Sequence, residues 1–354
     1  KYKKKNNYKL MAQVNVHSKT SINAGNKGLM NLGNTCYMNS VLQCLSHLLT
    51  FHPHNENFFK ECEKLESGLM YEWFQFQRGM WSNDNNTCQN PLKLLRSFKT
   101  LCDEKDLYFE NFNQNDVDEF LTLFLDLLHD SIKRSVKINL KKKSDSDETS
   151  KMVVKGFETW KRFYENDYSY IVENFYSQLL SLTICPECYY FTSNHDPIQV
   201  ISLELPSDAE TIHDCFKHYT RKQILDEKNM WKCDKCSKKV QPHQKTLLFK
   251  TSDILIILLK RYTSSLRKND KFIQYPLKLD LKDYNKNYGT GRPNTYNLNG
   301  FCIHSGSLGG GHYYAVSKNS LDKKWYEYND SHVSSVSDEK LLNYIPYLLF
   351  YKRS

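Results

Sequence analysis

No stretch of these 354 residues is long and apolar enough to read as a membrane span, and no secretory signal opens the chain. Both absences argue against membrane insertion and against an oxidising compartment. Heptad repeats, targeting signals and obvious partner-binding helices are missing too, so the expectation is an intracellular monomer, in the cytoplasm, the nucleus or both. Residue 1 is not Met, which reads as a truncated start. The formal net charge of +9 raises nucleic-acid binding as a function. However, the lysines are dispersed or lie in two low-complexity runs, and no aromatic-basic repeat accompanies them, so the expectation is no nucleic acid and no membrane.

What is present is enough apolar and aromatic sequence, 40% and 14%, to bury a substantial core. Two segments nearly three hundred residues apart carry the chemistry. In the first, Gly28 to Ser40, the residues Val41, Leu42, Leu45, Leu48 and Leu49 that follow recur at helical spacing. Asn34 and Thr35 are suited to cap that helix, which puts Cys36 in its first turn, beside N–H groups without intrahelical partners. The helix dipole there favours a thiolate. Asn31 offers a side-chain amide as a second oxyanion donor, and Gly33 lets the chain bend between them. A lone cysteine at a helix start is usually a packing residue; the second segment changes that reading.

After Gly309-Gly310-Gly311 come His312 to Ser317 and Lys324 to Asn329, two β-favouring runs around a polar turn. With the turn centred between Ser320 and Leu321, His312 and Asn329 fall directly opposite each other, close enough for the Asn amide to hold the imidazole in one tautomer. Cys, His and Asn then form a triad. Asp330 is placed to orient water or supplement the third position. His304, the competing histidine, has no polar partner by this symmetry and is read as a loop or rim residue.

Four of the eleven cysteines form Cys185-Pro-Glu-Cys188 and Cys233-Asp-Lys-Cys236, spacing that suits one tetrahedral zinc, with disulfides or a redox pair as the alternatives. Apart from Cys36, the other six cysteines read as packing or incidental thiols. A helix over Asn115 to Leu128 carries Asp116 and Glu119 near its start, where acids complement the dipole and where two carboxylates on one face can grip a guanidinium. Asp118 is a competing exposed charge. The three glycines before His312 read either as a flexible turn or as a slot admitting backbone but few side chains.

These segments resemble the catalytic domain of the ubiquitin-specific protease family. The Cys box Gly28 to Leu45, the His box Gly300 to Asp330, and Gln114 to Phe120, Ile254 to Tyr262 and Tyr275 to Leu281 between them occur in the family's order. The resemblance implies an α+β fold with a papain-like cysteine protease core, a helical thumb, β fingers carrying a zinc ribbon and a β palm. It implies Cys36 as nucleophile, His312 as general base and acid, Asn329 as third member and Asn31 as oxyanion donor. Asp116 and Glu119 are expected to contact arginines of the ubiquitin tail, which passes Gly309, Gly310 and Gly311. One structural Zn2+ per chain would be held by Cys185, Cys188, Cys233 and Cys236. Partners would be ubiquitin and ubiquitinated proteins, with a place for an activating protein. A catalytically silent ubiquitin-binding scaffold would need a damaged triad, and all the residue types are here.

The domain organisation expected is a basic arm over 1–27 and one catalytic domain over 28–354. Within it lie a helical thumb over 28–135, a charged solvated insertion over 136–160, fingers over 170–260 and a palm over 261–354. A short helix is expected at Thr211 to Tyr219.

Overall fold

The computed structural model describes residues 24–49, 68–109, 115–140, 147–262, 267–285, 288, 291–307 and 310–354. The helix opened by Cys36, α1 (Cys36–Leu48), is buried along its whole length, Asn39, Ser40, Gln43, Ser46 and His47 included. Helices α2 (Leu69–Met80), α3 (Leu92–Glu104) and α4 (Val117–Ile132) pack with it; Trp73, Phe74, Phe98, Phe120 and Phe124 fill the space between them.

The helices rest on an eight-stranded sheet. Its path runs β15 (His332–Val336), β14 (Trp325–Asn329), β13 (Gly310–Lys318), β12 (Thr295–Ser307), β16 (Pro346–Arg353), β10 (Ile254–Leu259) and β5 (Val200–Leu203), with β11 (Lys278–Asp280) beside β12. β10 and β5 are parallel, whereas the other pairs are antiparallel. Both faces are covered, so β10 is an unbroken apolar run rather than an alternating one. Ile254, Ile256 and Leu258 join the core under α1, and Leu255, Ile257 and Leu259 join a second core with α7 (Ile212–Tyr219). Thr211 and Asp214 close a capping box at the start of α7, the short helix expected there.

A four-stranded sheet, β4 (Phe191–Ile198), β3 (Ser177–Ile184), β9 (His243–Lys250) and β6 (Gln223–Ile224), projects the two CxxC turns, and β7 (Trp231–Lys232) and β8 (Lys239–Val240) form a ribbon at its end. The span 170–260 is therefore not all fingers, because β5 and β10 within it belong to the central sheet.

Two peripheral readings need correction. Of the arm 1–27, residues 1–23 lie outside the described residues, but residues 24–27 are packed into the fold. Lys27 Nζ donates to Gly79 O, Ser82 Oγ and Asp84 Oδ1, and Gln43 Nε2 donates to Lys27 O. Within 136–160, residues 148–164 form helix α5 (Glu148–Tyr164), whose buried Met152, Gly156, Trp160 and Tyr164 recur every four residues and pack on the projecting sheet. The solvated insertion is thus half of an ordered element, followed by α6 (Tyr170–Phe175). Among the described residues no helix is long and apolar enough to cross a membrane.

Candidate active site

The loop before α1 is folded around Asn31. Its Oδ1 accepts from Gly33 N at 3.0 Å and from Thr35 N at 3.2 Å, while Gly33 and Asn34 take positive φ. Thr35 stands at the N-cap position, but its hydroxyl accepts from Leu32 N at 2.9 Å instead of capping the helix. Thr35 therefore supplies no side-chain cap, and the backbone N–H groups of Cys36 and Tyr37 act on the Cys36 sulfur.

Cys36 is buried, and Tyr313 N donates to its sulfur at 3.5 Å. Burial pushes its thiol above the ordinary range; the Asp330 charge adds to that, while the N–H groups of Tyr313, Tyr37 and Cys36 itself oppose it. The sequence expectation of a thiolate favoured by the dipole alone is thus outweighed by desolvation. A base has to take the proton.

His312 lies on β13, next in the chain to the Tyr313 whose N–H meets that sulfur. Its Nε2 lies 2.6 Å from Asn329 Oδ1, and since that oxygen can only accept, Nε2 carries the proton and Nδ1 is left with a lone pair. The hairpin register differs from expectation. Ala315 faces Tyr328 and Lys318 faces Trp325, so the turn is centred between Leu321 and Asp322, and His312 meets Asn329 diagonally. The error was two positions; side chains alternate with period two, so the pair stays on one face.

Asp330, at φ 48°, spans the site. Its Oδ2 accepts from Asn31 Nδ2 at 2.9 Å and its Oδ1 from Asn39 Nδ2 at 2.8 Å. The Asn31 amide has a second N–H beyond that bond. Asn39 was missed in the sequence; it is one of several buried polar residues on α1, and nothing local separates it from Ser40 or Gln43.

Asp116 is the N-cap residue of α4 and accepts from Tyr347 OH at 2.7 Å and from Tyr313 OH at 3.2 Å. Neither tyrosine was singled out beforehand. Glu119 is exposed one turn on. Asp118 is partly buried rather than an exposed competitor; burial first, and the Asp116 charge second, push its carboxyl up to about 7. Gln114 and Gly309 lie outside the described residues. Gly310 and Gly311 are not loop but the first residues of β13, paired with Ser307 and Gly306. His304 is likewise no rim residue: it lies in β12, 8% exposed.

Cys185, Cys188, Cys233 and Cys236 bring their four sulfurs within 4.8 Å of one another, with Cys185 to Cys236 at 3.8 Å and Cys188 to Cys233 at 3.6 Å. None is in a disulfide. Four thiolates about 2.3 Å from a tetrahedral zinc are spaced by roughly 3.8 Å, so the donor set fits that ion.

The profile of the family described as ubiquitin carboxyl-terminal hydrolase matches residues 27–351. Ubiquitin carboxyl-terminal hydrolase Usp2 of Drosophila melanogaster is 30% identical over 335 residues, 92% of this chain and 35% of the relative. Ubiquitin carboxyl-terminal hydrolase 2 of Bos taurus is 30% identical over 345 residues, 93% of this chain and 55% of the relative. The chain thus spans about half or less of the length of these two relatives. Among solved structures, the SAGA DUB module of Ubp8, Sgf11, Sus1 and Sgf73 bound to monoubiquitin shares the fold, with a TM-score of 0.73 at 24% identity. That match covers 98% of this chain and 73% of the other.

Proposed function

The chain belongs to the ubiquitin carboxyl-terminal hydrolase family, and from that premise we propose that it is a thiol-dependent deubiquitinase that cleaves the bond after the C-terminal glycine of ubiquitin. The observation that carries the reading is that Tyr313, the residue after His312, donates its N–H to the Cys36 sulfur at a helix start, while His312 Nε2 lies against Asn329 Oδ1. His312 Nδ1 takes the Cys36 proton, and the sulfur attacks the glycine carbonyl. The oxyanion is held by first-turn N–H groups and by Asn31, which Asp330 orients. His312 returns the proton to the departing lysine amine; it then takes one from water, whose hydroxide oxygen displaces the sulfur.

Asp116, held by two tyrosine hydroxyls, and Glu119 would receive cationic side chains of the ubiquitin tail, and Gly309, Gly310 and Gly311 would border its glycines. The four cysteines would hold one Zn2+, which ties together the ends of two β arms and takes no part in the chemistry. In this reading the described helices α1–α4 act as thumb, the sheet β3, β4, β6 and β9 as fingers and the eight-stranded sheet as palm. The enzyme acts as a monomer in the cytoplasm or nucleus. The SAGA DUB modules are assemblies of Ubp8 with Sgf11, Sus1 and Sgf73, which supports extending the proposal to an activating protein partner.

The test is hydrolysis of a C-terminal fluorogenic ubiquitin conjugate, with other ubiquitin-like conjugates in parallel. Wild type is expected to cleave ubiquitin, and Cys36→Ala to lose turnover while still binding it. Unchanged turnover in that variant would remove Cys36 from the mechanism.

A further inference from the structure

His312 has two chain neighbours, and both rest on one side chain that the chemistry above does not use. A Cβ at Gly311 would overlap His304 Nε2, so the His304 imidazole lies directly against the Gly311 backbone. The same ring lies 4.6 Å from that of Tyr313, whose N–H reaches the Cys36 sulfur and whose hydroxyl reaches Asp116. His304 is itself held at both ends. Tyr262 OH meets its Nδ1 at 3.0 Å, and Lys268 Nζ, paired with Asp270, donates to its carbonyl at 2.8 Å.

We infer that His304 is a positioning residue that fixes the His312 segment of β13 beside Cys36 by supporting Gly311 and Tyr313 on either side of it, and that position 311 is glycine to admit that imidazole. The inference rests on the hydrolase reading and deepens it. The glycine pair also divides: Gly310, where a Cβ would meet nothing within 4 Å, has no such internal reason to be glycine. Any requirement for Gly310 lies with what passes outside, whereas the requirement for Gly311 lies within the protein. Ordinary packing under a strand would tolerate loss of the ring with a uniform loss of stability. A support aligned to the base predicts instead a loss in the chemical step with substrate binding kept.

The experiment uses the full chain, four single variants and two double variants. His304→Ala is expected to lower kcat on the ubiquitin conjugate about 10- to 100-fold, the scale of a misplaced catalytic group, with KM nearly unchanged. Gly311→Ala is expected to be more damaging, and His304→Ala placed on top of it to restore at least about tenfold of that loss, because coupled neighbours are non-additive. Gly310→Ala should not be rescued by His304→Ala. Tyr262→Phe, which removes one hydroxyl, covers the case in which Gly311→Ala does not fold and should lower kcat by several-fold. In parallel, the pH profile of Cys36 alkylation by iodoacetamide reads the sulfur without ubiquitin. His304→Ala should move it toward that of an isolated buried thiol. An unmoved profile, a double variant no better than Gly311→Ala, or a change confined to KM would overturn the assignment. A wild type that cleaves no ubiquitin would count against the hydrolase reading alone, since alkylation would still decide the role of His304.

Discussion

At the scale of the residue, Asp330 shows how one side chain can serve a site without touching the reacting atoms. Its two oxygens hold Asn31 in the loop and Asn39 in α1, so it fixes the proposed oxyanion donor relative to the strand that carries Asn329. Asp330→Ala is expected to lower kcat by about 10- to 1000-fold, up to the cost of losing one oxyanion donor, with Asp330→Asn recovering part of it. Equal activity in all three would show that Asn31 needs no such anchor. Much of this was legible in the sequence: residue types and spacing put Cys36 on a helix start and His312 and Asn329 on one face of a hairpin. The exact register was not, because it depends on how the six residues Asn319 to Lys324 fold, and there Asn319 N donates to Lys324 O and Lys323 takes a positive φ. Asp118 was misread because burial belongs to the fold; no local pattern distinguishes it from an exposed charge.

At the scale of the element, α5 is the clearest departure. Its apolar stripe of Met152, Val153, Phe157, Trp160 and Tyr164 is set among lysines and glutamates, and it follows a charged run, so composition argued for solvent. The stripe finds its partner only in three dimensions. Gly156 lies against Phe249, and Lys250 places its ammonium 3.3 Å from the centre of the Trp160 ring. By contrast, the CxxC pairs were legible despite the 44 residues between them, since β3 and β9 pair antiparallel and carry both turns to the same end. The proposed zinc holds those turns together. Cys233→Ser is expected to lose the metal by elemental analysis and to make the ends of β3 and β9 the first sites cut by protease. Retained metal, or unchanged proteolysis after its loss, would deny it a structural role.

At the scale of the whole molecule, stability should depend on acid through groups the site does not use. His47 and His195 are buried, and desolvation, the largest cause in each, holds them down to about 3 and about 4. Folded, they stay neutral; unfolded, they titrate near the ordinary value of about 6.5, so their contribution is complete above that pH. It is lost as pH falls, by about 1.4 kcal/mol per unit for each group. Asp118, raised to about 7, acts with the opposite sign: the folded state keeps a proton that the unfolded chain releases down to about pH 4. Burial holds His129 and His304 down as well, so the histidines outweigh Asp118; Tm should be lower at pH 5 than at pH 7, and His47→Gln should flatten the slope. A Tm that is level or rises over that interval would contradict it. The sheet order carries a further consequence. β16 lies between β12 and β10, so the strands on its two sides have no ladder joining them until residues 346–353 are in place. A chain leaving the ribosome at about 5–20 residues per second therefore displays its cysteine for tens of seconds before the sheet that seats the histidine can close. Translation itself thus delays closure of the central sheet until residues 346–353 have emerged.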